Sequence, residues 1–232
     1  MTTPSLTWPA SLEARARQSL GASDEAIYRM VTAWLDRHSV TGGRLIDVGC
    51  GTGRFFTAVG ARFSSHCGID AVRYQGLPTD AEFHCVNLDA PDWALRSATA
   101  DVVVAIETIE HLENPWAFMR QLAALAVPGG LVLVTTPNQL SLLSLITLLV
   151  RHRFSAFQDV HYPAHRTSLL ESDLQRAAVD AGLDILDVTY TGNGRLLLTP
   201  WHYPSVLAHR FPRLLSDNLM VVGRKPRAAR GA

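Results

Sequence analysis

Arg44-Leu45-Ile46-Asp47-Val48-Gly49-Cys50-Gly51-Thr52-Gly53 decides how this 232-residue chain folds. A short apolar run reads as a strand and is followed at once by three glycines in alternate positions. Residues without a side chain let the backbone turn sharply and approach a ligand closely, while the next helix presents its free amides. Further on, Gly68-Ile69-Asp70 closes a second apolar run with an acid, where this architecture can hydrogen-bond ribose hydroxyls. A nicotinamide-binding chain more often shows G-x-G-x-x-G, whose third glycine packs helix against strand; here the spacing is G-x-G-x-G.

Outward from that turn, short apolar runs alternate with helical patterns. Arg44–Val48, His66–Ile69, Phe83–Asn87, Val102–Ile106 and Leu131–Thr135 read as strands, with Leu183–Tyr190 and Leu219–Gly223 completing the set. Such alternation predicts a parallel sheet buried on both faces. Asp24–His38 repeats Ile27, Met30, Val31, Trp34 and Leu35 at helical spacing behind a Ser23 cap, with Gly42 and Gly43 ending the helix. Further helices are expected after Gly53, over Pro115–Ala126 with Pro128-Gly129-Gly130 closing it, and over Leu169–Ala181 before Gly182. Two stretches break the rhythm, 138–166 and 192–217, and read as insertions that shape a pocket. The whole chain, 1–232, is expected to form one domain, with residues 1–40 as an N-terminal helical cap.

Composition narrows the field. Hydrophobic residues make up 47% of the chain, and Lys plus Arg equals Asp plus Glu at 21 each, so no overall field draws the protein to nucleic acid or an anionic membrane. The three cysteines, Cys50, Cys67 and Cys85, lack metal-ligand spacing, fall in or beside apolar runs that read as strands, and read as buried thiols. The N-terminus has no apolar stretch after a basic start, so a cytoplasmic location is expected.

The G-x-G-x-G turn with Asp47 two residues before its first glycine resembles motif I of the class I S-adenosylmethionine-dependent methyltransferases. The resemblance runs from about Arg44 to Tyr190. It implies an α/β Rossmann-like, doubly wound sheet of seven mostly parallel strands, one of them antiparallel, with helices on both faces. It also implies S-adenosylmethionine as cofactor and S-adenosylhomocysteine as product. Gly49, Cys50, Gly51 and Gly53 would form the turn beneath the methionine part, with Asp47 toward its amino group and Asp70 on the ribose. Asn87 and Leu88, after the third strand, would meet the adenine, with Asp89 able to substitute for Asn87, and Ile106 would close the site at the end of the fourth.

After that fourth strand, Ile106-Glu107-Thr108-Ile109-Glu110-His111-Leu112 again resembles the family, whose loop here lies beside the transferable methyl. In a helical turn, Glu107 would face Glu110 and His111 at spacings of three and four. Two carboxylates and an imidazole in one place suit a general base or a divalent cation, for which His161 or His165 could complete the set. No metal ligand is assigned at this level. Glu107, His111 and His165 are the candidate catalytic residues, because a hydroxyl acceptor must lose a proton and histidine titrates near neutrality.

Ser141–Val150 is apolar on almost every side yet too short to span a bilayer. With Phe154, Phe157, Tyr162, Trp201 and Tyr203 it could wall an apolar acceptor pocket, while Arg151, His152 and Arg153 allow peripheral contact with lipid headgroups. The expected activity is methyl transfer to a small or lipid-like acceptor, on oxygen in the first instance. The competing expectations are transfer to nitrogen or carbon, a regulatory protein that binds the cofactor without turnover, and a nicotinamide-dependent oxidoreductase.

Overall fold

The computed structural model describes residues 19, 21–78, 81–94, 99–197 and 199–227. The expected cap over 1–40 is therefore seen only from residue 19 onward, and residues 1–18 and 228–232 lie outside the described residues.

Among the described residues the helices and strands are α1 (Glu25–Arg37), β1 (Arg44–Val48), α2 (Arg54–Val59), β2 (Ser65–Asp70), β3 (Glu82–Cys85), β4 (Ala100–Ala105), α3 (Pro115–Leu125), β5 (Ala126–Pro137), α4 (Leu142–Arg151), α5 (Glu171–Asp180), β6 (Asp184–Tyr190), α6 (Ser205–Arg210) and β7 (Asn218–Arg224). The strands form one seven-stranded sheet in the order β3-β2-β1-β4-β5-β7-β6. Strands β1 to β5 pair in parallel, and β7 runs antiparallel to both of its neighbours, β5 and β6. The single reversed strand matches the expectation.

Alternation along each strand divides the core in two. In β4, Val103 and Ala105 join the cluster packed by α3 and α5, while Val102 and Val104, one step out of phase, join the cluster under α1 and α2. The chain steps outward from β1 to β3, then crosses back to lay β4 on the other side of β1. That reversal opens a crevice beyond the carboxyl ends of β1 and β4, the place where open α/β sheets bind ligands.

Three local expectations are corrected. Helix α1 is capped by Asp24, whose carboxylate accepts from the Ala26 amide at 2.7 Å, and it ends at His38; Ser23 instead donates its amide to the Tyr28 hydroxyl at 2.9 Å. Pro128-Gly129-Gly130 lies inside β5 and does not close α3. The Gly129 amide donates to the Lys225 carbonyl at 2.8 Å, and Lys225 Nζ donates to the carbonyls of Ala123 and Ala126, supplying the cation that the end of α3 attracts. Finally, Cys50 and Cys67 are buried but Cys85 is exposed, because β3 is the edge strand.

Candidate active site

The glycine turn leaves β1 with Gly49, Gly51 and Gly53 all in the left-handed region, at φ 76°, 50° and 76°. Its geometry is enforced by neighbours from distant parts of the chain. A Cβ on Gly49 would collide with the Thr108 side chain, and one on Gly51 with the carbonyl of Gly21. The turn is thus wedged between the loop after β4 and the segment before α1. Gly49 and Cys50 line a cavity of about 580 Å³ above it, whereas Gly51 and Gly53 lie outside the cavity wall and shape the turn from behind.

Asp47 and Asp70 face this cavity from the ends of β1 and β2. Asp47 is 2% exposed, and its Oδ1 has no hydrogen-bond partner among the described residues. Burial lifts its carboxyl to about 8, and the Asp70 charge pushes the same way. Asp70 is better served: Oδ2 accepts from the Gly51 amide at 2.9 Å, and Oδ1 from the amides of Ala71 and Val72 at 2.6 and 3.4 Å. Burial still raises it, against those amides. An orphaned, buried carboxylate oxygen in a cavity is a receptor for a cation, so these residues fit the amino group of S-adenosylmethionine.

Leu88, Asp89 and Ile106 also line the cavity. Asn87 does not. It is exposed, and its Oδ1 accepts from the Asp89 amide at 3.1 Å, so it shapes a turn that presents Asp89 in its stead. The opposite wall comes from Gly21 to Tyr28 at the start of α1, within the expected N-terminal cap, although sequence reasoning named none of these residues for the site. No spacing rule ties that helix to the glycine turn; the link is tertiary, through Gly21, whose carbonyl accepts from the Thr52 amide at 2.8 Å.

The two acids of the loop after β4 are neighbours with separate hydrogen-bond partners. Glu107 takes φ 50°, unusual for a residue with a side chain, and lines the cavity. Its amide donates to Thr135 Oγ1 at 2.9 Å, and its Oε2 accepts from Asn218 Nδ2 at 2.9 Å. Burial lifts its carboxyl to about 7 despite these donors. Glu110 is fully buried, accepts from Thr136 Oγ1 at 3.3 Å, and leaves Oε1 without a partner among the described residues. Burial first, and the neighbouring Glu107 second, push it well above the usual carboxylate range.

His111 and His165 meet over the cavity. The insertion after β5 is strapped down where the amides of Arg166 and Thr167 donate to the Glu110 carbonyl at 2.9 and 3.0 Å. His111 Nδ1 is 2.9 Å from the Ala164 carbonyl, and His165 Nδ1 is 2.7 Å from that of Ala156. A carbonyl only accepts, so each Nδ1 carries the proton and each Nε2 keeps its lone pair. Burial lowers both rings, His165 to about 4 with the His111 charge adding to the effect. One oxygen of Glu110 and one nitrogen from each of His111 and His165 lie within 4.8 Å of one another, a donor set suited to a divalent transition metal. His161 stacks on His165 with ring centroids 5.5 Å apart but stands outside that group.

The insertions reach the cavity through His161, as expected, and through residues the sequence did not single out. Ser155, Ala156, Ala164, Arg195 and His202 contribute wall, whereas Phe154, Phe157, Tyr162, Trp201 and Tyr203 do not. Trp201 is 71% exposed.

A family model described as a methyltransferase domain matches residues 23–188. The chain belongs to that family. Among its relatives, a ubiquinone biosynthesis O-methyltransferase of Stutzerimonas stutzeri (strain A1501) is 32% identical over 115 residues, covering 46% of this chain and 50% of that one. Another of the same name, from Rhodopseudomonas palustris (strain BisB18), is 33% identical over 109 residues, 43% of this chain and 42% of that one. The chain matches about half the length of these curated relatives. Solved structures share the fold. A SAM-dependent methyltransferase from Archaeoglobus fulgidus superposes with a TM-score of 0.62 at 15% identity, covering 90% of this chain and 97% of that one. The Burkholderia thailandensis 1,6-didemethyltoxoflavin-N1-methyltransferase, solved with S-adenosylhomocysteine, gives 0.61 at 15% identity over 97% and 93%.

Membership of the methyltransferase domain family gives the crevice its meaning. The family match spans β1, the glycine turn, Asp70 and the loop holding Glu107 and His111, together with most of β6. It stops short of β7 and the second insertion, so Asn218, Arg195 and His202 enter the site from outside the matched segment.

Proposed function

We propose that this protein transfers the methyl group of S-adenosylmethionine to a hydroxyl of a small or lipid-like acceptor. The observation that carries the reading is the pair of neutral imidazoles, His111 and His165, on the wall of the cavity that also holds the orphaned Asp47 carboxylate. The O-methyltransferase relatives of ubiquinone biosynthesis support an oxygen acceptor.

The sulfonium brings its own leaving group, so the chain's work is to bind, orient and accept a proton. Asp47 neutralises the ammonium of the cofactor, Asp70 accepts from the ribose hydroxyls, and Leu88 and Ile106 flank the adenine. The acceptor hydroxyl gives its proton to Nε2 of His111 or His165 as its oxygen attacks the methyl carbon, and the imidazolium is relieved by its Nδ1 bond to a carbonyl. Glu107, held by Asn218 and Thr135, sets the shape of the loop between cofactor and acceptor. Glu110, His111 and His165 are the residues that would hold a divalent cation, and what such an ion supplies is a Lewis acid for an acceptor oxygen.

The test is calorimetric titration of S-adenosylhomocysteine into the purified protein, with and without EDTA, followed by transfer of labelled methyl to a panel of phenols and hydroxylated lipids. Micromolar binding and labelling of an oxygen acceptor support the proposal. Binding with labelling confined to nitrogen or carbon acceptors, or with none, overturns the acceptor; no binding overturns the cofactor.

A further inference from the structure

Helix α4 is built inside out. Ser144 is its buried residue: its amide is held by Ser141 Oγ at 3.2 Å, its hydroxyl donates to Gln139 Oε1 at 3.4 Å, and its Oγ accepts from the Ser155 amide at 3.2 Å. The leucines and Ile146 stay partly exposed along the outer side, and Leu149 and Val150 are 78% and 72% exposed. A surface helix ordinarily turns its apolar stripe to the core; here the small polar residues face inward. The second insertion repeats the inversion, with Trp201, Val206 and Phe211 exposed. The two are stitched together at the base of α4, where the Leu142 amide donates to the Leu214 carbonyl at 2.8 Å. An apolar surface of this kind marks an interaction site.

Charge indicates the occupant. The chain as a whole is neutral, yet residues 138–166 and 192–217 carry six arginines against two aspartates; Arg153, Arg166, Arg195 and Arg213 are held in ion pairs with Asp159, Glu113, Asp217 and Glu171, and Arg151 and Arg210 stand outside those pairs beside the apolar surface. Arg151 directly follows Val150, and Arg210 lies over the ring of the exposed Phe211. A second copy docking about a two-fold axis would set this cationic surface against itself. An anionic bilayer takes both features at once: cations at the headgroups and aliphatic side chains and a tryptophan at the acyl boundary.

We propose that α4 and the segment 201–214 form a docking face for anionic lipid bilayers, which brings the cavity walled by the same insertions beside the lipid phase. The face stands on geometry and charge independent of methyl transfer, and S-adenosylhomocysteine binding reports on that activity separately. Flotation of the purified chain with vesicles of phosphatidylcholine, alone or mixed with phosphatidylglycerol, tests it. The expected result is flotation with the phosphatidylglycerol vesicles, weakened by salt, and little with phosphatidylcholine alone. The double variant Leu149→Glu, Val150→Glu, both exposed positions, is expected to lower that binding about tenfold or more while binding S-adenosylhomocysteine normally. Failure of the wild type to float with anionic vesicles, or undiminished flotation of the double variant, overturns the proposal. So does light scattering that finds a stable dimer split by the same substitutions, which would assign the face to a second copy.

Discussion

The imidazoles of His111 and His165 stand edge to face with ring centroids 4.8 Å apart, each tied through Nδ1 to a backbone carbonyl. The pairing exists because the end of the first insertion is bonded to the Glu110 carbonyl, which fixes where His165 falls.

Removing either ring should separate catalysis from binding. His111→Ala and His165→Ala are each expected to lower kcat by about 10²- to 10⁴-fold and to shift S-adenosylhomocysteine affinity by no more than about threefold. Steady-state kinetics beside calorimetry makes the comparison. An unchanged kcat in both variants would remove the histidines from the mechanism.

Asp47 couples stability to pH. A carboxyl that titrates near 3.8 in the unfolded chain and at about 8 in the fold binds more protons when folded, so stability falls as pH rises from about 4 to about 8 and is flat on either side. Asp47→Asn is expected to make that slope shallower, leaving the shares of Asp70, Glu107 and Glu110, whose carboxyls burial also raises, and to raise the melting temperature at pH 7, while weakening S-adenosylhomocysteine about 10- to 100-fold through loss of the charged partner. In the wild type, binding should release a proton near pH 7, seen as a binding enthalpy that differs between phosphate and Tris buffers. A melting temperature that declines with pH equally in both proteins would mean that Asp47 is already ionised in the fold.

Gly51→Ala should act at the segment before α1 and not on the ligand directly. The new Cβ meets the Gly21 carbonyl at a residue held at φ 50°, so a loss of about 1–2 kcal/mol is expected, with faster proteolysis near residue 21. Urea denaturation and limited digestion measure both. Wild-type stability would show that the Gly21 contact is not maintained in solution.

Asn138 ties the two insertions together. Its Nδ2 donates to the carbonyls of Arg213 and Ser216 at 2.6 and 2.9 Å, and its Oδ1 accepts from the Leu140 amide at 3.0 Å. Asn138→Ala leaves these groups without a partner in a 3% exposed position, and a loss of about 1–3 kcal/mol is expected. Chemical denaturation checks the value. A change below about 0.5 kcal/mol would show that water replaces the amide.

Much of the fold was legible along the chain because its cause is local. The β-branched run of β4 is apolar at every step since both faces of a parallel strand are covered, and the glycines after Val48 announce positive φ wherever they fall. Asp47 and Asp70 could be placed for the same reason, at the carboxyl ends of strands that the pattern had located. Tertiary structure decided what depends on residues far apart in sequence. It turned Glu107 toward Asn218, set His165 against His111 while leaving His161 outside the group, and presented Asp89 in place of Asn87. It also brought Gly21 against Gly51. Ser141–Val150 was legible as an apolar run, but a run apolar on almost every side has no marked inner face. Only the hydrogen bonds of Ser144 to Gln139 and Ser155 chose the polar side to bury and left the leucines outward.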